Sequence, residues 1–334
     1  MTAAAKTITQ LHPATAKWDS EVDAYMTHLR TARKSPHTMA SYRGSLDAWR
    51  AFMVATGRSL DPRDAVRRDV QAFMAHVAET GSPSTQKTRY AALSTFFRWL
   101  ASEDEAVIDR SPFTGVKAPR VPDVPVPVVS ADHIERLLAT TNGRSFVDRR
   151  DRAIILLMLS TGCRRGEIAG LLTDDLDHAS SRVVFHGKGE KIREAAYGDA
   201  TSEALRHYAR ARADHPRADA MASVGSRADT VRMGRPLWLP VAGRGHHGAF
   251  GAFGITDMLK RRCAEAGIPS IHPHQFRHTW ADEMLAGGAS EGDTMRLAGW
   301  SSRVMLNRYA AVNAHRRALT HYRDPVDRLL TRRR

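Results

Sequence analysis

Arginine, histidine, lysine and tyrosine recur in four separated stretches of this 334-residue chain where a purely structural helix would not need them. The first is Thr161-Gly162-Cys163-Arg164-Arg165-Gly166-Glu167-Ile168. Arg164, just after a glycine stop, sits on a rigid corner that Glu167 can steady by hydrogen bonding; an arginine at a helix end is also a common plain cap. The second stretch is His272-Pro273-His274-Gln275-Phe276-Arg277-His278, where proline sets a helix start and His274 and Arg277 share a face. Unpaired amides, a positive partial charge, an arginine fork and an imidazole would meet a phosphate there together. His272, His274 and His278 also permit a metal reading, but no acidic or thiolate ligand sits beside them.

The third stretch is Gly187-Lys188-Gly189-Glu190-Lys191, in which a lysine at a glycine-flanked tip can donate a proton to a ligand or be an ordinary turn lysine. The fourth runs from Leu297 to Ala310 and holds Trp300 and, nine residues on, Tyr309. A helical tyrosine is either a core residue or a nucleophile.

The elements that must position these residues can be read from periodicity and turn signals. A Pro/Val segment, Lys117 to Val129, holds four prolines and cannot be helix interior. Upstream, Ser35 and Pro36 start a helix with Met39, Tyr42, Leu46, Trp49 and Met53 on one stripe. Further helices are expected over Ser20–Thr31, Asp64–Glu79 and Ser84–Ala101. These leave Arg43, Lys87 and Arg89 on exposed faces, free to sit on phosphates or simply to be solvated. Downstream, Ser130 opens a helix, Asp151–Ser160 reads as a buried helix stopped by Gly162, and Arg182–His186 and Ile192–Ala196 read as a hairpin. Helices resume at Thr201–Ala213, Thr256–Ala266, Pro273–Ala286 and Ser290–Ala298, while 216–254 is Gly/Arg-rich and irregular. The fold class is therefore mainly α with a small β-sheet. Its expected parts are an N-terminal extension (1–16), a helical domain (17–116), a linker (117–129) and a mixed α/β domain with a C-terminal segment (130–334).

Composition narrows the partners. Fifty Lys and Arg against 36 Asp and Glu give a net charge of +14, spread over both halves, which would attract a polyanion and first of all nucleic acid. A hydrophobic fraction of 42% fits a globular chain that buries a core. Two cysteines are too few for a disulfide framework and fit a reducing, cytoplasmic compartment. No apolar run is long enough for a membrane span or a signal peptide.

Taken in order, T-G-x-R-x-x-E, the G-K-G hairpin, H-x-x-R-H and G-W followed by a tyrosine nine residues later resemble the tyrosine recombinase, or phage integrase, family. The resemblance covers essentially the whole chain from about Ala16, including a helical core-binding domain. It implies that Arg164 and Arg277 clamp a scissile phosphate, that His274 is the general acid/base, and that Tyr309 is the nucleophile. It further implies that Lys188 protonates the leaving oxygen, with Lys191 as its rival, and that Glu167 supports. Trp300 falls where many members have histidine and others tryptophan. The implied activity cuts and rejoins DNA through a 3′-phosphotyrosyl intermediate, which needs neither ATP nor a divalent metal. The implied partners are double-stranded recombination sites, bound by a homotetramer in which each protomer's two domains clamp a site and the C-terminal segment docks on a neighbour. Xer-type dimer resolution, a transposon-encoded recombinase, a type IB topoisomerase and a catalytically silent DNA-binding relative stay open. The short stretch before the first helix leaves no room for an additional arm-binding domain.

Overall fold

The computed structural model describes residues 13–102, 104–122, 127–187, 192–225, 231–241 and 249–303, together with Leu306, Ala318, Leu319, Tyr322 and Val326. Lys188, Lys191 and Tyr309 lie outside the described residues. The chain divides into two compact units, Met1–Asp123 and Val124–Arg334.

The first unit is helical: α1 (Pro13–Thr31), α2 (Pro36–Ala55), α3 (Arg67–Thr80) and α4 (Pro83–Leu100). Two of its starts follow from local chemistry. Ser35 and Ser82 each accept a backbone amide three residues on, from Thr38 and Thr85, and each is followed by a proline whose missing N–H costs nothing at that position. The expected stripe on α2 faces inward, with Leu46, Trp49 and Met53 buried and Met39 and Tyr42 partly so. Trp49 meets Phe73 edge-on at 5.2 Å and Trp18 meets Phe96 at 5.3 Å, the geometry that ring quadrupoles favour. α1 begins earlier than its apolar pattern predicts because Trp18 extends the buried stripe of Val22, Tyr25 and Leu29 back by one turn. α3 begins later, at Arg67, since Asp64 ends a separate 3-10 turn over Pro62–Asp64 capped by Asp61, and Ala65 and Val66 are extended.

The second unit holds α5 (Ala131–Ala139), α6 (Phe146–Thr161), α7 (Arg165–Ala169), β1 (Leu176–Asp177), β2 (Arg182–His186), β3 (Ile192–Ala196), α8 (Asp199–Ala213), β4 (Ala222–Val224), β5 (Arg232–Gly234), α9 (Ala252–Glu265), α10 (Pro273–Ala286) and α11 (Glu291–Ala298). β1, β2 and β3 form an antiparallel sheet in that order, and the rung His186↔Ile192 bounds the connection 187–191. A second, two-stranded sheet pairs β4 with β5 inside the stretch whose sequence looked irregular. Its strands are three residues each, too short for a period-2 signal to stand out.

α6 runs through the core, with Ile154, Ile155, Leu157 and Met158 fully buried. Its first half carries charge inward as well. Asp151, with no exposed surface, accepts from Arg150 Nη2 at 2.8 Å, Arg261 Nη2 at 2.6 Å and Arg262 Nε at 2.9 Å. Arg262 also donates to Asp148 at 2.7 Å and to the Thr140 carbonyl at 2.6 Å. This network ties α9 to α6, because a buried carboxylate is tolerated only when its lone pairs are met. Among the described residues no helix is long and apolar enough to cross a membrane.

Candidate active site

Gly162 ends α6 in the left-handed region, at φ +54°. A Cβ there would lie 2.5 Å from the Trp280 ring, so glycine is required by both the backbone and the packing. The chain turns out through buried Cys163 and presents Arg164 as the cap of α7. Glu167 grips that arginine twice: Oε2 accepts the Arg164 amide at 2.9 Å and Oε1 accepts its Nη1 at 2.6 Å. Glu167 is buried at 6% exposure. Burial alone would raise its pKa, but the charge and hydrogen bond of Arg193, with help from Arg164, hold the carboxyl below its ordinary value. The adjacent Cys163 thiol is pushed up to about 12 by burial and is no nucleophile at neutral pH.

Arg277 stands on α10, one turn beyond His274 and only 1% exposed. Its Nη1 donates to the Gly162 carbonyl at 2.7 Å and its Nη2 to the Ala298 carbonyl at 2.5 Å. Arg164 Nη2 approaches the next carbonyl, Gly299, at 3.5 Å. Ala298 ends α11 and Gly299, at φ +65°, caps it. Helix ends carry a partial negative charge on unpaired carbonyls, so two such ends seat the two arginines. Trp300 follows that cap, 7% exposed, with its ring 4.9 Å from the Arg277 guanidinium carbon.

His274 is the second residue of α10, whose start is fixed by Pro273 and by the His272 amide donating to Gln275 at 2.8 Å. The residue as a whole keeps solvent-exposed surface while its imidazole is partly desolvated. Desolvation first, then the charges of Arg277, Arg164 and Arg165, lower its pKa below the ordinary imidazole value. That shift favours the neutral imidazole.

The structure thus brings Arg164, Glu167, His274, Arg277 and Trp300 into one neighbourhood. The three histidines of the metal reading do not converge: no three His, Cys, Asp or Glu among the described residues are grouped to hold a metal ion. In the helical unit, Arg43 is committed to Asp23 at 2.9 Å and Asp47 at 3.4 Å, while Lys87 is exposed and Arg89 half-buried on α4.

One residue that sequence reasoning missed is Arg193 on β3, which donates to Glu167 Oε2 at 2.7 Å and to the Leu297 carbonyl at 2.8 Å. A signal existed in the strand's alternation. Arg193 shares its parity with buried Ala195, so an arginine was being pointed toward the core.

Residues 127–316 match the phage integrase family, and residues 22–104 match the phage integrase N-terminal SAM-like domain. Among curated proteins, the chain is 31% identical over 273 residues to the tyrosine recombinase XerC of Azotobacter vinelandii, covering 80% of this chain and 82% of that one. It is 28% identical over 283 residues to XerC of Lacticaseibacillus casei, covering 84% and 90%. Among solved structures, the fold is similar to the XerH site-specific recombinase bound to palindromic difH substrate, with a TM-score of 0.66 at 15% identity over 92% of this chain and 86% of that one. It is also similar to a lambda integrase dimer bound to a COC′ core site, with a TM-score of 0.65 at 15% identity over 87% of this chain and 94% of that one. With the family match spanning more than half of its length, and with the helical fold of its solved relatives, the chain belongs to the phage integrase family of tyrosine recombinases.

Proposed function

We propose that this chain breaks and rejoins double-stranded DNA at specific sites, with Tyr309 as nucleophile and Arg164 and Arg277 as the clamp on the scissile phosphate. The observation that supports this reading best is the seating of the two arginines on the adjacent carbonyls of Ala298 and Gly299. Two fixed guanidinium groups at one place suit a phosphate whose nonbridging oxygens gain charge as a fifth oxygen approaches.

The steps balance without a cofactor. The Tyr309 phenol, ordinarily of pKa about 10, gives its proton to neutral His274 as its oxygen bonds to phosphorus. The bond from phosphorus to the 5′-oxygen breaks, and Lys188 supplies the proton that makes this oxygen a competent leaving group, with Lys191 as its rival. The 3′-phosphotyrosyl ester keeps the phosphodiester energy, so attack by another 5′-hydroxyl reseals the strand and frees Tyr309. Trp300 packs against Arg277 and holds its plane. In the helical core-binding domain, which we place at 17–116 ahead of a linker at 117–129, exposed Lys87 and half-buried Arg89 are the best placed to meet phosphates, and Arg43 does so only in competition with Asp23 and Asp47.

The chain acts on two sites as a homotetramer in the cytoplasm, a reading that follows the family resemblance of its motifs and, for the compartment, its two cysteines. The Xer-type role, resolution of joined replicons, is favoured over phage integration by the names of the relatives that match across 80% or more of this chain. The test is covalent trapping on a nicked site: wild-type protein forms an adduct that survives denaturation, and Tyr309→Phe binds the same DNA without one. An adduct persisting in Tyr309→Phe would overturn the assignment.

A further inference from the structure

Arg165 follows Arg164 directly and opens α7, yet it is held by different chemistry from the other arginines of the site. Arg164 and Arg193 share the carboxylate of Glu167, and Arg277 is buried against two carbonyls. Arg165 is exposed and has no acidic partner among the described residues. Its Nη1 donates to Thr256 Oγ1 at 3.1 Å, and that hydroxyl gives its own proton to the Ala252 carbonyl, also at 3.1 Å. The guanidinium carbon lies 5.8 Å from the centre of the Phe253 ring. A hydroxyl and a ring fix the direction of a guanidinium without neutralising its charge.

Phe253, in the first turn of α9, is 82% exposed, more than any other large hydrophobic residue described. Phe146, Phe185, Phe250 and Phe276 of the same unit are all buried or partly buried. The open ring and the uncompensated cation stand beside the clamp: Arg165 is joined to Arg164 along the chain, and its charge acts on His274 together with those of Arg277 and Arg164. A fixed guanidinium with an apolar face next to it matches one nucleotide of a duplex, whose phosphate is an anion and whose sugar edge is largely apolar.

We propose that Arg165 and Phe253 form a subsite for a nucleotide flanking the scissile phosphate, with Arg165 on its phosphate and Phe253 packed against its deoxyribose. The proposal rests on the roles given above to Arg164, Arg277 and Tyr309. Its effect is on register: the clamp holds the phosphate that reacts, and the subsite holds a neighbour, so the strand cannot slide along the clamp.

The test is binding by the full chain carrying Tyr309→Phe to duplex DNA whose cleaved phosphate has been mapped from the wild-type adduct. The phosphates on either side of it are replaced one at a time by neutral methylphosphonates. One flanking position should weaken binding roughly tenfold when neutralised, and Arg165→Gln should be indifferent to that position alone. Arg165→Gln should also flatten the dependence of log affinity on log salt by about 0.9, whereas Arg165→Lys, which keeps the charge, should keep the slope. Phe253→Ala should weaken binding about fivefold with the slope unchanged, because a ring against a sugar releases no counterion. Both side chains are exposed, so each variant should unfold near the temperature of its parent. Sensitivity retained by Arg165→Gln at every position, or an unchanged salt slope, would overturn the phosphate contact. Intact affinity in Phe253→Ala, or a slope as flat as that of Arg165→Gln, would overturn the sugar contact. If wild-type protein forms no Tyr309 adduct, the functional reading fails and the subsite with it; with the adduct present, every one of these outcomes bears on Arg165 and Phe253 alone.

Discussion

Arg277 donates to the carbonyl of Gly162 at 2.7 Å, which fastens a side chain of α10 to the residue that terminates α6. The same glycine is overlain by Trp280, three residues beyond Arg277. Substitution here should therefore damage stability and catalysis together.

For Gly162→Ala, the left-handed backbone costs about 1–2 kcal/mol and the contact with the Trp280 ring about 1–3 kcal/mol more. The expected outcome is a Tm lower by roughly 5–15 °C in thermal unfolding of the full chain, accompanied by slower cleavage. An unchanged Tm would show that the α6–α10 contact relaxes freely.

Removing either clamp arginine should cost roughly 10²–10³-fold in single-turnover cleavage, the usual loss for one transition-state donor. Arg164→Ala is the cleaner experiment, because its side chain is 41% exposed and the fold depends on it less than on fully buried Arg277. Its Tm should move little while its cleavage collapses.

With His274 as the proposed general base, the pH profile of cleavage should report on it. A general base works only when neutral, and a pKa held below 6.5 keeps it neutral into mildly acid solution, so the acid limb should fall below pH 6.5. Arg165 is one of the charges that depress it. Arg165→Ala should therefore shift the acid limb to higher pH, and His274→Asn should abolish that limb while slowing the reaction by roughly 10²-fold. A limb that stays put in His274→Asn would assign it to another group.

The two hairpin lysines are separable by leaving-group chemistry. Lys188→Ala should cleave ordinary DNA poorly and a 5′-phosphorothiolate well. If Lys191→Ala is the variant that sulfur rescues, the acid is Lys191.

Much of this architecture could be read before any coordinates. The α2 stripe, the hairpin limits Arg182–His186 and Ile192–Ala196, the α10 span and the Gly162 stop all follow from periodicity and from residues with one dominant backbone role. Arg164, His274 and Arg277 could be singled out because each stands beside a helix start or stop that the sequence marks with glycine or proline. What escaped was determined by distant chain. β4 and β5 are too short to impose a pattern, and nothing local to Arg193 says that its acceptors will be Glu167 and Leu297. The partners of Asp151 escaped as well: its face of α6 is covered by α9, whose Arg261 and Arg262 have no marker in sequence linking them to α6.

The Asp151 network has a consequence for how the molecule responds to ionic strength. Contacts between surface cations and phosphates release condensed counterions, so DNA affinity falls steeply as salt rises. Asp151 has no exposed surface and Arg150 and Arg262 almost none, so mobile ions cannot enter to screen them. The Asp151–Arg262 pair that holds α6 against α9, unlike half-exposed Arg261 and unlike the contacts that hold DNA, is thus answerable to fixed protein dipoles and not to water and salt. Concentrations of salt that strip the protein from its substrate leave α6, and with it the Gly162 corner that Arg277 grips, where it was.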